Sequence, residues 1–275
     1  MRPSPFGIAL WVAASVALAF LLLPIVAIFS ELTVSELRAG LTSEVALDAL
    51  RVTLETNLVA MALILVFGTP TAYLLASRSF RGRTMLVTLV ELPLVLPPAV
   101  AGIGLLAAFG RLGLLGGTME SLGIDIAFTK TAVVLAVTFV ASPFYVRTAI
   151  AAFEAVDEDL VAASRTLGAG PARTFFRVAL PLAAGGLGAG AALAFARGLG
   201  EFGATIMFAG SLQGVTQTLS LAIYQEFDVD FDTALAIGAL LVVGSALVLF
   251  AAKVIPAWRR STSTSTTAFV PSASR

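Results

Sequence analysis

The sequence of 275 residues contains no histidine, no cysteine and a single asparagine, Asn57. Without imidazole or thiolate groups, the chain lacks the usual ligands of structural zinc, iron–sulfur clusters and haem, and also the commonest general base. These absences weigh against a membrane enzyme or an electron carrier. The 17 basic and 17 acidic residues cancel, so no global charge points to nucleic acid as a partner.

Charged residues are also scarce, at 12% of the chain, whereas 58% of the residues are hydrophobic. An average globular protein has about 25% charged and about 45–50% apolar residues. The apolar excess extends from Ile8 to Ile255 and leaves no polar stretch long enough to fold separately. The composition therefore predicts an all-α polytopic membrane protein with one membrane domain, residues 1–260, embedded in lipid.

A helix needs about 20 residues to cross a bilayer core, and five apolar stretches meet this length. A sixth, shorter stretch can cross with the help of its flanking residues. The spans predicted from them are 7–29, 54–77, 84–109, 130–147, 178–200 and 233–254. The fourth is short, so Lys130 and Arg147 are expected to extend to the membrane surface. A further uncharged run, 202–225, is rich in Ser, Thr, Gln and Gly and is predicted to be a loop or a partly buried gate element.

The distribution of Lys and Arg predicts the orientation. With six spans both termini lie on one side, and placing them in the cytoplasm puts twelve basic residues inside and five outside. The sequence therefore predicts a multi-pass protein of the cytoplasmic (inner) membrane whose N- and C-termini are cytoplasmic. The low-complexity segment 261–275 is predicted to be a disordered cytoplasmic tail.

Residues 148–177 form the longest predicted cytoplasmic segment and have the pattern of two short helices. The acidic residues at 157–159 suit the positive end of the first helix, and Gly168 supplies its C-terminal stop. Its apolar face consists of Leu160, Ala163 and Leu167. Pro171 can open the second helix. Such a pair has little to pack on unless a partner protein supplies a surface.

This segment resembles the EAA loop of ABC importer permeases, whose pattern is Glu-Ala-Ala, three residues, Gly, nine residues, Ile, one residue and Leu-Pro. Residues 162–164 hold the first triplet, Gly168 follows after three residues, Val178 after nine more, and 180–181 close the pattern. Ala162 stands where the family usually has Glu. The resemblance implies a cytoplasmic coupling helix between spans four and five that docks on an ATPase subunit. The implied coupling residues are Asp157, Leu160, Ala162, Ala163, Ser164, Leu167, Gly168, Pro171, Leu180 and Pro181.

Two further segments, 91–102 and 197–224, look like those of the molybdate permease subunits of this family, and sulfate or thiosulfate permeases are the alternative. The resemblance implies the type I importer permease fold and a homodimer of this chain. It also implies two ATP-binding cassette subunits and an extracytoplasmic molybdate-binding protein that delivers molybdate or tungstate. The chain itself is expected to bind no cofactor or metal and to catalyse no reaction. ATP-Mg would be bound by the partner, because no phosphate-binding G-x-x-x-x-G-K-[ST] pattern occurs here. A membrane scaffold or enzyme is the alternative from a different class.

A translocation pathway or gate is predicted from prolines in the third span and from a glycine-rich segment after the fifth. Prolines within a span remove backbone donors and predict a kink. Arg197 and Glu201 are four residues apart, so on a helix they can pair, and the pair either fixes the helix end or lets Arg197 receive the anion. The residues of this hypothesis are Pro97, Pro98, Arg197, Gly200, Glu201, Gly203 and Thr205.

The fifth span is rich in small residues, and Gly186 and Gly190 form a GxxxG pair. Such pairs allow helices to approach closely. The sequence leaves two interpretations open, packing within one subunit and packing at a dimer interface.

Overall fold

The computed structural model describes the backbone of residues 4–261 and the side chains of residues 4–251. Residues 262–275, which make up nearly all of the predicted tail, lie outside the described residues. Within the described part the regular structure is helical throughout. The helices are α1 (Pro5–Ser30), α2 (Val34–Leu41), α3 (Glu44–Ser77), α4 (Arg83–Val95), α5 (Pro98–Phe109), α6 (Gly116–Ser121), α7 (Lys130–Glu154), α8 (Glu158–Thr166), α9 (Pro171–Thr174), a π-helical turn (Phe175–Ala179), α10 (Leu180–Leu199), α11 (Gly203–Ala209), α12 (Leu219–Glu226) and α13 (Phe231–Ser261).

Five helical segments are long and apolar enough to cross a bilayer: α1, α3, α7, the continuous segment from α9 to α10, and α13. The helices α4 and α5 satisfy the same test as a pair that is bent by 112°. The helices α3 and α7 run parallel. Glu55, in the first half of α3, pairs with Lys130 at the start of α7, and Tyr73 near the end of α3 packs on Phe153 near the end of α7. The chain between them therefore returns to the side of the molecule where α7 begins. The bent pair α4–α5 lies in this connection, so the described helices provide five spans, or up to six if the pair counts as one span.

The third predicted span is broken rather than kinked. Leu96 and Pro97 are both extended, with ψ angles of 132° and 131°. A proline disfavours helical geometry in the residue before it, and two successive prolines, Pro97 and Pro98, impose this on two residues in a row. Pro93, which has no proline beside it, lies inside α4 without ending it. The expectation of a continuous span over 84–109 is thus corrected to two helices.

Several helices extend beyond the predicted spans. The helix α3 begins at Glu44, before the predicted boundary at 54, and α7 continues to Glu154, past the predicted 147. The predicted loop 148–177 therefore starts with the last turns of α7. Charged residues lie within the helical extensions: Arg147 of α7, for example, is 3.5 Å from Glu91 of α4. The length of an uncharged run therefore indicates the apolar thickness that a helix crosses. The helix itself is longer than the run.

The core lies where α7 packs between α3 and α10. The buried Tyr145 hydroxyl is 2.6 Å from Oγ1 of Thr69 on α3. A methyl group at Gly186 would lie 2.5 Å from Cβ of Ala152, and one at Gly190 would lie 3.0 Å from Cβ of Thr148. The GxxxG pair therefore serves packing of α10 on α7 within this chain. In contrast, no residue of α1 is buried.

Candidate coupling loop and gate

Two sides of the molecule carry the candidate sites. The α8 side is defined by α8 together with the ends of α3 and α7, and the α12 side by α12 together with the starts of the same two helices. The helix α10 connects them, since it begins after α9 on the α8 side and leads into α11 on the α12 side. The predicted coupling loop lies on the α8 side, and the predicted gate on the α12 side.

The helix α8 has a defined start and a defined end. Oδ1 of Asp157 accepts a hydrogen bond of 2.9 Å from the backbone N–H of Asp159, which caps the N-terminus. At the other end Gly168 has a φ of +83°, and the backbone N–H groups of Gly168 and Ala169 donate to the carbonyls of Arg165 and Ser164. These two bonds form a Schellman motif, in which a glycine takes the left-handed position. The predicted stop at Gly168 therefore matches the local structure.

Two leucines of the α8 segment remain exposed. Ser164 lies beside α9, with its hydroxyl 3.0 Å from that of Thr174. Leu160 and Leu167, which lie four residues before and three residues after Ser164, are 49% and 88% exposed. The two leucines therefore leave apolar surface uncovered on the α8 side of the described structure.

A cavity of about 440 Å³ separates α8 from the ends of α3 and α7. Ala162 lines it together with Tyr73 and Glu154. The remaining predicted coupling residues lie next to this region rather than on α8: Pro171 is the first residue of α9, Leu180 packs against the core, and Pro181 is exposed at the start of α10.

The predicted pair at the gate is present. The guanidinium of Arg197 at the end of α10 lies 2.7 Å from Oε2 of Glu201. The other carboxylate oxygen of Glu201 accepts a hydrogen bond of 2.7 Å from the backbone N–H of Ala204, in the first turn of α11. The Glu201 side chain is 1% exposed and that of Arg197 is 26% exposed. Glu201 therefore ties α10 to α11 across Gly200, the exposed residue that ends α10.

The break in the third span lies directly beside this pair. A methyl group at Gly203 would lie 2.7 Å from Cβ of Pro98, and one at Gly102 would lie 2.5 Å from the carbonyl oxygen of Ala204. The start of α5 thus packs on the start of α11. Thr205 is fully buried on α11, whereas Pro97 is exposed at the break. The fold brings together the two segments that the gate hypothesis placed 100 residues apart in sequence.

Three polar residues that connect the helices around the predicted gate were not predicted as site residues. Oγ1 of Thr53 on α3 accepts a hydrogen bond of 2.8 Å from the backbone N–H of Leu219, the first residue of α12. Asn57 donates from Nδ2 to the carbonyl of Phe195, and Ser220 donates from its hydroxyl to the carbonyl of Leu199. The one available signal was that Asn57 is the single asparagine and lies in an apolar run.

The segment after α12 is also fixed by side chains. Asp230 precedes α13 and accepts hydrogen bonds from the backbone N–H and the hydroxyl of Thr233, at 3.2 and 2.7 Å. These bonds favour the ionised form and hold the pKa of the Asp230 carboxyl below its ordinary value.

Within the part of the chain that the structure describes, no group of three or more acidic side chains could hold a metal ion.

Comparison with known proteins identifies the family. Residues 64–260 match the family model described as "Binding-protein-dependent transport system inner membrane component". The chain belongs to this family of transport permeases. The molybdenum transport system permease protein ModB of Mycobacterium tuberculosis is 44% identical over 251 residues, which cover 90% of this chain and 95% of that protein. The probable sulfate transport system permease protein cysT of Nephroselmis olivacea is 36% identical over 244 residues, 87% of this chain and 86% of that one.

A solved structure shows the same permease fold. The bacterial alginate ABC transporter, crystallised with a periplasmic protein that binds an alginate pentasaccharide, contains a chain that superposes with a TM-score of 0.72. The match covers 96% of both chains at 18% sequence identity. The chain therefore has the all-helical fold of ABC importer permeases, as the sequence predicts.

Proposed function

We propose that this permease is the membrane-spanning subunit of an ATP-driven importer for molybdate, and that it also carries tungstate, which has the same charge and shape. The observation that carries this proposal is the 44% identity, over 90% of the chain, to a molybdenum transport permease. The sulfate permease is less similar, at 36%. Sulfate import is the alternative.

The exposed face of α8 supports the assignment of α8 as the coupling helix. Leu160 and Leu167 are exposed there, although they are apolar. A separate ATPase subunit that covers them would bury this surface and move α8 as it binds and hydrolyses ATP-Mg. The permease itself then needs no nucleotide site.

The α8 side is proposed to be cytoplasmic, with both termini on that side. The twelve-to-five distribution of Lys and Arg supports this orientation. Because the chain has no cysteine, single cysteines report the topology directly. An impermeant maleimide added to intact cells should label Asp228→Cys on the α12 side and leave Gly170→Cys unlabelled. The reverse labelling would contradict both the orientation and the coupling loop.

A homodimer is proposed because two surfaces of the permease are largely uncovered within the described chain. The helix α1 has no buried residue. A face of α10 made of small residues, including Gly185 and Gly188, has open space around it. Small residues allow close packing of a helix from a second copy. Two copies would provide the two α8 surfaces that a pair of ATPase subunits requires.

In this mechanism, closure of the ATPase pair moves both copies of α8 and rocks the spans around a central pathway. An extracytoplasmic binding protein delivers the oxyanion to the α12 side, where α11 and α12 form the gate. Backbone N–H groups and hydroxyls can guide a tetrahedral dianion without a fixed cation. Glu201 already forms an ion pair with Arg197 and accepts a hydrogen bond from the backbone of α11, so it links the end of α10 to the proposed gate.

The test is uptake into liposomes that contain the permease with its ATPase, in the presence of the binding protein. Uptake of labelled molybdate should require ATP and the binding protein, and tungstate should compete at a similar concentration. A sulfate concentration tenfold higher should compete weakly. Equal or stronger competition by sulfate would favour the sulfate alternative, and an assembled complex without any oxyanion uptake would contradict transport.

A further inference from the structure

Arg83, the first residue of α4, contacts two other helices on the α8 side. Its Nε donates a hydrogen bond of 2.6 Å to the carbonyl oxygen of Leu75 in the last turn of α3. Its terminal nitrogen pairs with the carboxylate of Glu154, the last residue of α7. One guanidinium thus joins the ends of α3 and α7 to the start of α4.

The positions of both charges are unfavourable within their own helices. A cation at the first residue of α4 meets the positive end of that helix, and an anion at the last residue of α7 meets the negative end. The pairing of Arg83 with Glu154 compensates both of these unfavourable interactions between a charge and a helix end. Arg83 also satisfies the carbonyl of Leu75, which lies among the last four carbonyls of α3 and has no donor from its own helix. Contacts between helices therefore explain why charged residues occupy these two helix ends. The properties of each helix by itself would disfavour them.

The pair lies between the coupling loop and the gate. Glu154 is separated from α8 by residues 155–157 alone and lines the cavity beneath α8. Arg83 begins α4, and α4 ends at the break where Pro98 packs on Gly203 of α11. A movement of α8 that shifts the end of α7 would therefore pull on the start of α4, and α4 leads directly to the break beside α11.

We infer that Arg83 is a positioning residue that couples the movement of α8 to the broken span α4–α5, through its contacts with Glu154 and Leu75. This inference rests on the proposed transport function. A purely structural role would predict that loss of the pair lowers ATP hydrolysis and transport together. The coupling role predicts instead that transport falls while ATP hydrolysis continues. Movement between rigid elements is transmitted through such discrete contacts.

The experiment measures the number of ATP molecules hydrolysed for each molybdate ion imported, in liposomes with the permease, its ATPase and the binding protein. The variants are Arg83→Ala and the nearly isosteric Glu154→Gln. Each should lower molybdate uptake at least tenfold and ATP hydrolysis less than twofold, so the ratio should rise at least fivefold. Arg83→Lys keeps the charge toward Glu154 and should recover most of the wild-type ratio.

Arg81 provides the matched control. It lies in the same turn as Arg83, and among the described residues it takes part in no ion pair. Arg81→Ala should therefore keep the ratio within twofold of wild type. An unchanged ratio in both Arg83→Ala and Glu154→Gln would overturn the inference, as would loss of the ATPase subunit from the Glu154→Gln complex. Absence of uptake in the wild type would instead contradict the proposed function, so the two failures are distinguishable.

Discussion

Asn57 of α3 and Gly198 of α10 meet at a helix crossing that leaves no room for a side chain on the glycine. A methyl group at position 198 would lie 2.4 Å from Oδ1 of Asn57 and 3.0 Å from a methyl group of Val137. The Asn57 amide group donates to the carbonyl of Phe195 in the same helix, at 3.2 Å. This crossing fixes the end of α10 that carries Arg197 and leads to the gate.

Gly198→Ala is expected to destabilise the protein by about 1–3 kcal/mol, the usual cost of overpacking a core. Replacing Asn57 by Ala in the same chain removes the nearest atoms and should recover part of this loss. Gly244→Ala in α13 is the control, because nothing lies within 4 Å of a methyl group there. Thermal unfolding in detergent provides the measurement. Equal unfolding temperatures for Gly198→Ala and Gly244→Ala would show that the crossing can relax.

Thr53→Val should weaken the attachment of α12 to α3. The substitution keeps the shape of the side chain but removes the acceptor for the backbone N–H of Leu219, and an unsatisfied buried donor costs about 1–3 kcal/mol. Thr53→Ser should retain stability. Thr56→Val is a matched control, since Thr56 is equally buried and bonds to a carbonyl within its own helix. The prediction fails if the two valine variants unfold at the same temperature.

Arg197 and Glu201 should be coupled in a double-mutant cycle. Removing Arg197 leaves a buried carboxylate without its cation, and breaking a buried pair in this way costs about 3–5 kcal/mol. The double change to Ala should therefore harm uptake, normalised for expression, less than the sum of the single changes. If Arg197 receives the oxyanion, its removal will lower uptake equally with and without Glu201.

Gly168→Val should impair docking of the ATPase while leaving membrane insertion intact. The left-handed conformation at this residue costs an L-residue about 1–2 kcal/mol, and a β-branched residue fits it worst. Gly168→Asn should be milder, because asparagine tolerates this conformation. Gly170→Val is the control, since Gly170 has an ordinary φ of −69° and also has open space around it. Co-purification of the ATPase with each variant measures the effect, and equal yields for the two valine variants would contradict it.

Asp230 should contribute to stability in a pH-dependent manner. Its folded-state pKa lies below the unfolded value of about 3.9, so its stabilising contribution is complete above that value and is lost as the pH falls through the folded-state pKa. The difference in unfolding temperature between wild type and Asp230→Ala should therefore shrink as the pH is lowered from 6 toward 3. A difference that is constant over this range would show that the carboxylate charge makes no contribution.

The sequence by itself determined the helical membrane class and the coupling-loop signature. The apolar excess cannot be placed on a soluble surface, and the spacing from Ala162 to Pro181 is a local pattern that needs no knowledge of distant residues. The end of α8 at Gly168 and the break at Pro97 and Pro98 also depend on local geometry. The prolines predict a kink, whereas the two helices on either side of the break are bent by 112°. A proline acts on its own turn and on the residue before it, so its effect can be read from the chain.

The tertiary structure alone decided which polar groups meet across the helices. Arg83 and Glu154 are 71 residues apart, and Thr53 and Leu219 are 166 apart. Helix periodicity relates residues three or four positions apart, so it predicts the pair of Arg197 and Glu201 but carries no information on contacts between helices. Those contacts depend on how α3, α7 and α10 pack. Burial then makes each pairing necessary, because a polar group removed from water is costly unless a partner lies opposite it.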